Sequence, residues 1–323
     1  MPNPLTFDDR ARGALLGLSC GDRFGAPLEF VADASVRYRE VPLGHWTDDT
    51  HMSLYLGEAV LAYGPATRGW PFDPERFGTC VGEAFVRWLH DPLTPTTAPG
   101  LTCLAGVRHF ASHRDWHTSG IVASDSCGAV MRIVPLALAW QGATLREAAR
   151  VSATVTHRHP NTLEAAMAGA WLVRKVLETG VWCGDWVAQA ARLLEGTWGQ
   201  GGQVAASLRA ALAWAALDEE WLDEGAIPPG DGGWRAGSAL GLAVAAALRW
   251  PRDIGLAVEK AARIQGDSDS VAGLTGALLG AAWGPAAIPR AWRVTLPRRA
   301  KIEDLVDRLI ALGNTDGSRF DHD

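Results

Sequence analysis

Strand-like alternation is the pattern that this chain most clearly lacks. Alanine and leucine dominate, and windows in which β-branched or aromatic residues alternate with polar residues are scarce. Because alanine and leucine favour helix, and because a half-buried strand needs alternation with a period of two, the pattern predicts an all-α protein. We expect helices over approximately residues 7–20, 48–62, 74–90, 128–141, 144–155, 161–179, 182–195, 203–217, 235–249, 251–264, 268–282 and 302–312.

The segments between these helices are short and rich in proline and glycine. Examples are "PLTPTTAPG" (92 to 100) and "IPPGDGG" (227 to 233), which are typical of loops between neighbouring elements rather than of interdomain linkers. A length of 323 residues with 48% hydrophobic content allows a substantial core. We therefore expect a single compact multi-helix domain over residues 1–312 and a flexible tail over residues 313–323, where apolar periodicity ends.

Two of the predicted helices carry small residues in short succession. They contain "GALLGLSCGD" (13 to 22) and "GALLGAAWG" (276 to 284). Glycine and alanine let helix backbones approach closely, so these segments favour close helix packing. In an alanine-rich chain such runs also arise by coincidence, and both interpretations fit the sequence.

Charge and cysteine content exclude several classes of protein. The chain has 30 basic and 36 acidic residues without a long run of one sign, which argues against a dedicated nucleic-acid surface. Five cysteines without a CxxC pair argue against a disulfide framework or a zinc ribbon.

The N-terminus does not resemble a signal peptide, and no apolar run reaches the roughly 20 residues of a membrane span. We expect a soluble, cytoplasmic, monomeric protein.

An oxygen-rich segment begins one of the predicted helices. In "HWTDDTHMSLYLGEAV" (45 to 60), Asp48 and Asp49 stand between Thr47 and Thr50. One interpretation is an ordinary helix start, since threonine is a favoured N-cap and each acid in the first turn gains about 0.3–1 kcal/mol from the helix dipole. This interpretation is sufficient for the segment taken alone.

A second segment repeats this chemistry. In "QGDSDSVAGLTGALLGAAWG" (265 to 284), Asp267, Ser268, Asp269 and Ser270 begin a helix rich in small residues. Carboxylate and hydroxyl oxygens are the ligands that Mg²⁺ and Mn²⁺ prefer. If the two helix starts meet, their carboxylates repel one another and cations relieve the repulsion. Spacing does not place the two segments together, so two capped helices and one shared metal site remain alternatives.

Two further carboxylates precede both segments. "GDRFGAPLEF" (21 to 30) supplies Asp22 and Glu29 among glycines that permit a tight backbone path. A solvated loop position is the ordinary environment of a glutamate. Beside a metal, Glu29 becomes a candidate ligand.

Five segments, taken in order, resemble the ADP-ribosylglycohydrolase family. They are "GALLGLSCGDRFGAPLEF", "WTDDTHM", "CGAVMRIVPLAL", "VTHRHP" and "GDSDSVAGLTGALLGA". This family includes the dinitrogen-reductase-activating glycohydrolases and the ADP-ribosylarginine and ADP-ribosylserine hydrolases. The resemblance implies an all-α fold with two adjacent Mg²⁺ or Mn²⁺ ions at the base of a cleft that binds ADP-ribose.

The resemblance also implies roles for individual residues. One ion takes Thr47, Asp48, Asp49 and Asp269, and the other takes Asp267, Asp269, Ser270 and, in at least one state, Glu29. The expected substrate-binding residues are Gly100, Thr102, Ser126, Cys127, Gly128 and His157.

The implied reaction is hydrolysis of the C1 ribosyl bond of an ADP-ribosylated protein side chain or other acceptor. It passes through an oxocarbenium-like state and uses a metal-activated water, with ADP-ribose as a product. Glu29 is the first candidate for general base and Asp49 the second. The alternative is a catalytically silent binding or structural relative of the same fold; loss of ligand residues would favour it, and none is lost.

The chain departs from the family pattern at a few positions. Ser268 and Ser270 stand where threonine is frequent, and serine keeps the ligand oxygen. Cys127 lies in a loop that reads glycine-asparagine-glycine in many members, but nothing in the implied reaction needs a thiol nucleophile.

Other patterns offer weaker hypotheses. His109, His113 and His117 recur every four residues and would share one helix face, where they could bind a transition metal, although no HExxH acid accompanies them. His159 is expected to cap or pack. The 15 tryptophans are spread along the chain, so most are expected in the core, with one aromatic stacking on adenine.

Overall fold

Helices provide the regular structure of this chain. The computed structural model describes residues 4–32, 43–64, 72–199 and 202–315. These ranges contain no β-strand, and β-pairing is limited to two isolated bridges, Ile121 with His157 and Ser126 with Arg235. The prediction of an all-α fold is confirmed.

The helices follow one another closely along the chain. The α-helices are α1 (Phe7–Gly25), α2 (Asp48–Tyr63), α3 (Pro74–Leu89), α4 (Leu101–His113), α5 (Trp116–Ser119), α6 (Val134–Ala139), α7 (Gly142–Thr154), α8 (Pro160–Thr179), α9 (Gly184–Leu193), α10 (Gln203–Ala215), α11 (Ala236–Arg249), α12 (Ile254–Ala262), α13 (Ser268–Trp283), α14 (Arg290–Val294) and α15 (Arg299–Thr315). Short 3-10 turns lie at Ala26–Leu28, Thr94–Thr96, Cys127–Ala129, Glu224–Ala226 and Pro285–Ala287, and a π-helical turn lies at Leu194–Trp198. The buried apolar side chains among the described residues form one contiguous cluster, as in a single domain.

Two helix predictions need correction. The predicted helix over 128–141 is interrupted, because Cys127–Ala129 is a 3-10 turn and α6 begins only at Val134, with Pro135 in its first turn. The helix α4 was not predicted. It buries Cys103, Val107 and Phe110 at helical spacing.

The C-terminal helix is longer than predicted. It begins at Arg299 and continues to Thr315, three residues into the predicted tail. Residues 316–323, the rest of that tail, lie outside the described residues.

The two helices with small-residue runs pack directly on each other. Gly17 faces Gly276, and a Cβ atom added to Gly17 would lie 2.0 Å from the Gly276 carbonyl oxygen. Gly13 and Gly280 meet in the same way one turn further along, so α1 and α13 run antiparallel in backbone contact. The small residues are therefore required by close packing and are not a coincidence of composition. This arrangement brings the C-terminal end of α1 beside the N-terminal end of α13.

A buried carboxylate attaches α2 to α1. Asp22, in the last turn of α1, accepts hydrogen bonds from the backbone N–H groups of Thr47 (2.8 Å) and Thr50 (3.0 Å) and from both threonine hydroxyls. It therefore satisfies donors at the start of α2 that have no partner within the helix. The Thr47 side chain also accepts the Asp49 N–H, as the capped-helix interpretation predicts. None of the described helices is long and apolar enough to cross a membrane.

Candidate active site

A cavity of about 200 Å³ opens between the turn that follows α1 and the starts of α2, α4 and α13. Its lining residues are Glu29, Phe30, Asp48, Asp49, Ala98, Gly100, Leu101, Thr102, Cys103, Ser126, Cys127, Gly128, Met131, Trp234, Asp267, Asp269 and Ser270. Both oxygen-rich helix starts therefore face one cavity. The sequence alone did not determine whether these two segments meet. Of the residues predicted for the site, Thr47 and His157 lie outside this lining.

Burial gives the carboxyl groups at and next to the cavity unusual proton affinities. It raises the pKa of Asp48 to about 8, although a hydrogen bond from the Gly100 N–H (3.0 Å) opposes the rise. Burial and the charge of Asp269 raise the pKa of Glu29 to about 8 and that of Asp22 to about 7. Several negative charges in a space of this size are costly, so the metal-free site retains protons near neutral pH.

Two carboxylate oxygens in this group are buried without a hydrogen-bond partner. They are Oδ1 of Asp49 and Oδ1 of Asp269. Burial and the charges of neighbouring carboxylates, Asp269 first, raise the pKa of Asp49 well above its usual value. A buried acceptor without a donor is costly, and a hard cation removes that cost together with the repulsion between carboxylates. The donor set therefore fits a divalent cation.

The carboxylates are not preassembled around a point. Across the described residues, no group of three or more His, Cys, Asp or Glu side chains forms a ready metal site. The expected ligand sets include the hydroxyls of Thr47 and Ser270, and Mg²⁺ usually retains several waters in addition. The buried Oδ1 atoms of Asp49 and Asp269 have no hydrogen-bond donor, so positive charge from a cation would stabilise both.

A thiol occupies one side of the acidic group. Cys127 Sγ donates a hydrogen bond to Asp267 Oδ2 (2.9 Å) and lies 3.7 Å from Ser270 Oγ. Burial and the charges of Asp267 and Asp49 raise the pKa of this thiol well above its usual value. Cys127 is therefore a protonated donor, which argues against a role as a nucleophile.

The walls of the cavity are joined through their backbones. The Cys127 N–H donates to the Trp234 carbonyl (3.0 Å), and the Asp267 N–H donates to the Gly232 carbonyl (2.8 Å). Gly232 lies against residues 265 and 266 so closely that a Cβ atom would clash with backbone, and its φ of +64° also favours glycine. The loop before α11 thus connects the 126–128 segment to the start of α13.

Aromatic side chains that the sequence did not single out form the rim. Trp234 and Phe30 line the cavity and remain partly exposed, and Leu101 beside them is the most exposed of the large apolar residues described. The sequence could have indicated both residues, because Trp234 follows the glycine-rich "GDGG" loop and Phe30 follows the predicted ligand Glu29. Exposed aromatics at a pocket entrance suit stacking on a planar ring.

A family model described as ADP-ribosylglycohydrolase matches residues 3–319. The chain belongs to the ADP-ribosylglycohydrolase family. A protein of uncharacterised function from Archaeoglobus fulgidus is 27% identical over 95% of this chain and 97% of its own length. The ADP-ribosyl-dinitrogen reductase glycohydrolase of Rhodospirillum rubrum is 34% identical over 47% of this chain and 52% of its own length. A solved ADP-ribosylglycohydrolase-related protein complex is 28% identical, with a TM-score of 0.74 over 95% of this chain and 99% of the solved chain.

The histidine of the family-like "VTHRHP" segment lies behind the cavity wall. His157 is fully buried, and its Nε2 contacts Ser126 Oγ (2.8 Å), which does line the cavity. His157 therefore contacts a residue of the cavity lining, and its expected contact with the substrate stays a prediction. His159 accepts the Asn161 N–H and caps α8, in agreement with one of its two predicted roles.

The three regularly spaced histidines do not form one helix face. The helix α4 ends at His113, and Arg114 adopts a left-handed conformation with φ of 57°. His117 lies on α5, where it contacts a Glu75 carboxylate oxygen (2.9 Å) and stacks on Trp116. The hypothesis of a transition-metal site on one face is wrong, because the chain turns between the second and third histidines.

Proposed function

We propose that this protein is a metal-dependent ADP-ribosyl hydrolase that releases ADP-ribose from a modified protein side chain or another acceptor. The observation that carries this proposal is the pair of unpartnered buried oxygens on Asp49 and Asp269 at the cavity. A storage or structural protein has no reason to bury unsatisfied carboxylates together, since each is costly without a cation or ligand. Membership of the family supports the same substrate class.

The ligands would come from three parts of the chain. One cation would be held by Thr47, Asp48, Asp49 and Asp269, and a second by Asp267, Asp269, Ser270 and Glu29. When bound, Mg²⁺ or Mn²⁺ supplies Lewis acidity that lowers the pKa of a coordinated water and stabilises negative charge on nearby oxygens.

Glu29 has the properties of a general base. It is half-buried at the end of a 3-10 turn and lines the cavity, so its carboxylate can reach a water in that space. As positive charge lowers the raised pKa of Glu29, a carboxylate oxygen becomes able to accept the proton of the water that attacks C1. Asp49 is the second candidate, because its unpartnered Oδ1 also has a free lone pair.

The wall residues would bind the rest of the substrate. Gly100, Thr102, Ser126, Cys127 and Gly128 all line the cavity. Adding a Cβ atom to Gly128 would place it 2.6 Å from Cys103 Sγ, so this position allows only glycine without displacement of the wall. The exposed ring of Trp234 would stack on adenine.

The function can be tested with a panel of linkages. The protein would be incubated with ADP-ribosylated arginine, serine and nucleic-acid substrates in Mg²⁺, Mn²⁺ or EDTA, and free ADP-ribose would be measured. Release in metal and its loss in EDTA are expected, with Glu29→Gln inactive and the distant Glu75→Gln active. Absence of release from every substrate in the presence of metal would refute the hydrolase proposal, and ADP-ribose binding without turnover would identify a silent relative.

A further inference from the structure

A chain of hydrogen bonds connects a buried arginine to the cavity wall. Arg132 Nη2 donates to Thr156 Oγ1 (2.7 Å), Thr156 Oγ1 contacts His157 Nδ1 (2.8 Å), and His157 Nε2 contacts Ser126 Oγ (2.8 Å). Arg132, Thr156 and His157 are fully buried, whereas Ser126 lines the cavity. One hydroxyl therefore connects this buried network to the ligand space.

Arg132 determines which atom donates in each hydrogen bond of this network. A guanidinium group can only donate, so Thr156 Oγ1 is an acceptor for Arg132 and needs an acceptor for its own proton. The Ala153 carbonyl lies 3.4 Å away but already accepts the backbone N–H groups of Thr156 (3.0 Å) and His157 (2.8 Å). His157 Nδ1, at 2.8 Å, is the better acceptor for the threonine proton.

The His157 imidazole is therefore the donor in its hydrogen bond to Ser126. Burial and the charge of Arg132 lower the pKa of His157 to about 3, so the ring is neutral near pH 7 and carries a single N–H. When Nδ1 accepts from Thr156, that N–H lies on Nε2. The ring then donates to Ser126 Oγ.

A second hydrogen bond reaches Ser126 from the other side. Ser124 Oγ donates to Ser126 Oγ (3.3 Å), and Thr102 Oγ1 lies 2.9 Å from Ser124 Oγ, where it can supply the next donor. Ser126 Oγ thus receives two hydrogen bonds, which occupy both of its lone pairs. No described residue accepts the remaining Ser126 proton once these two bonds are formed, so the proton is left for the cavity.

We propose that Arg132 and Thr156 hold His157 as the Nε2–H tautomer and thereby make Ser126 an obligatory hydrogen-bond donor to the bound ligand. A donor that cannot accept favours an anionic oxygen, such as a phosphate of ADP-ribose, over a ligand hydroxyl or amine that needs an acceptor. Arg132, Thr156 and His157 are positioning residues, since none of them lines the cavity. The identity of the ligand rests on the proposed function, whereas the tautomer does not.

The tautomer can be measured directly. In protein labelled with ¹⁵N-histidine and studied without metal or ligand, NMR shifts of the ring nitrogens distinguish Nε2–H from Nδ1–H, and His157→Asn identifies the signals of His157. We expect Nε2–H in the wild type and in Thr156→Ser, which keeps the hydroxyl. Thr156→Val removes the donor to Nδ1 and should give a mixture of tautomers.

Ligand binding tests the consequence for Ser126. The affinity for ADP-ribose, measured by calorimetry in Mg²⁺, should fall roughly tenfold to a hundredfold in Thr156→Val, as expected for a hydrogen bond to a charged group, and should be kept in Thr156→Ser. Adenosine, which has no phosphate, should bind both variants equally. Thr154→Val is the matched control, because the Thr154 hydroxyl donates to the Arg150 carbonyl within α7 (2.8 Å), outside the network.

The outcomes separate the two proposals. An Nδ1–H tautomer in the wild type, or a Thr156→Val protein with unchanged tautomer and unchanged ADP-ribose affinity, would overturn the positioning role. An Nε2–H tautomer in a protein that does not bind ADP-ribose would leave the network as described but overturn the phosphate assignment and the proposed function with it.

Discussion

Replacing Gly17 by alanine tests whether the contact between α1 and α13 sets the stability of the fold. An added Cβ atom would lie 2.0 Å from the Gly276 carbonyl oxygen and 2.7 Å from its carbon. Since unbonded heavy atoms prefer a separation of about 3.5 Å, the two backbones must move apart locally by roughly 1.5 Å. No side-chain rotamer can absorb this displacement, because both partners are main chain.

The expected magnitude follows from two opposing effects. Overpacking a tight contact typically costs about 1–3 kcal/mol, and backbone on both sides favours the upper part of that range. Alanine regains about 0.5–1 kcal/mol over glycine within a helix. We therefore expect a net loss of about 2 kcal/mol in the free energy of unfolding, or a melting temperature about 4–8 °C lower at 2–4 °C per kcal/mol.

The assay is thermal unfolding followed by circular dichroism, with Gly196→Ala as the matched control. A Cβ atom on Gly196 meets nothing within 4 Å, and the residue is exposed in the π-helical turn, so this variant should be neutral or slightly stabilised. If Gly17→Ala melts at or above the temperature of Gly196→Ala, the inferred backbone contact between α1 and α13 is incorrect.

Three further predictions concern the cavity. Asp269→Asn should abolish metal-dependent release of ADP-ribose. The EDTA-treated variant should be as stable as the wild type or more stable, because the substitution removes a negative charge from a group of negative charges. A large loss of melting temperature without metal would show a structural role for Asp269 instead. The EDTA-treated protein should lose stability as the pH rises from 6.5 to 8. The pKa values of Asp48 and Glu29 are raised to about 8 each, so the folded state holds protons in this range that the unfolded chain has already lost. The lowered pKa of His157 keeps that ring neutral in the folded state throughout the same range. Mg²⁺ should therefore raise the melting temperature most at pH 8, and an equal shift at pH 6.5 would contradict this reasoning. Trp234→Ala should weaken ADP-ribose binding about tenfold, as expected for loss of one stacked base, whereas Trp283→Ala, equally exposed at 43% but away from the cavity lining, should bind normally in the same titration.

The helix class and several helix starts could be predicted because their signals are local. The Thr47 side chain accepts the N–H of Asp49, and that of His159 accepts the N–H of Asn161, two residues along the chain in each case. The acidic and hydroxyl side chains of the two helix starts are equally visible in the sequence. Helix α4 was missed even though its apolar spacing is regular, because it spans only 13 residues and begins directly after the proline-rich segment over 92–100.

The function of Asp22 shows what local signals omit. In the sequence it is one acid of a glycine-containing segment. In the structure it is fully buried and accepts the N–H groups at the start of α2, so it joins two helices rather than contacting solvent. His157 differs in the same way, since its motif suggested a ligand contact and its burial places Ser126 in between.

The sequence by itself determined the all-α class, several helix starts and the chemistry of the two oxygen clusters, since these depend on residues that are neighbours along the chain. Tertiary structure decided that Asp48 and Asp269 share one cavity and that Trp234 forms part of its rim. The physical reason is the contact between α1 and α13. Only the absence of side chains at Gly17 and Gly276 lets the two backbones approach closely enough, and no local pattern states which glycine meets which.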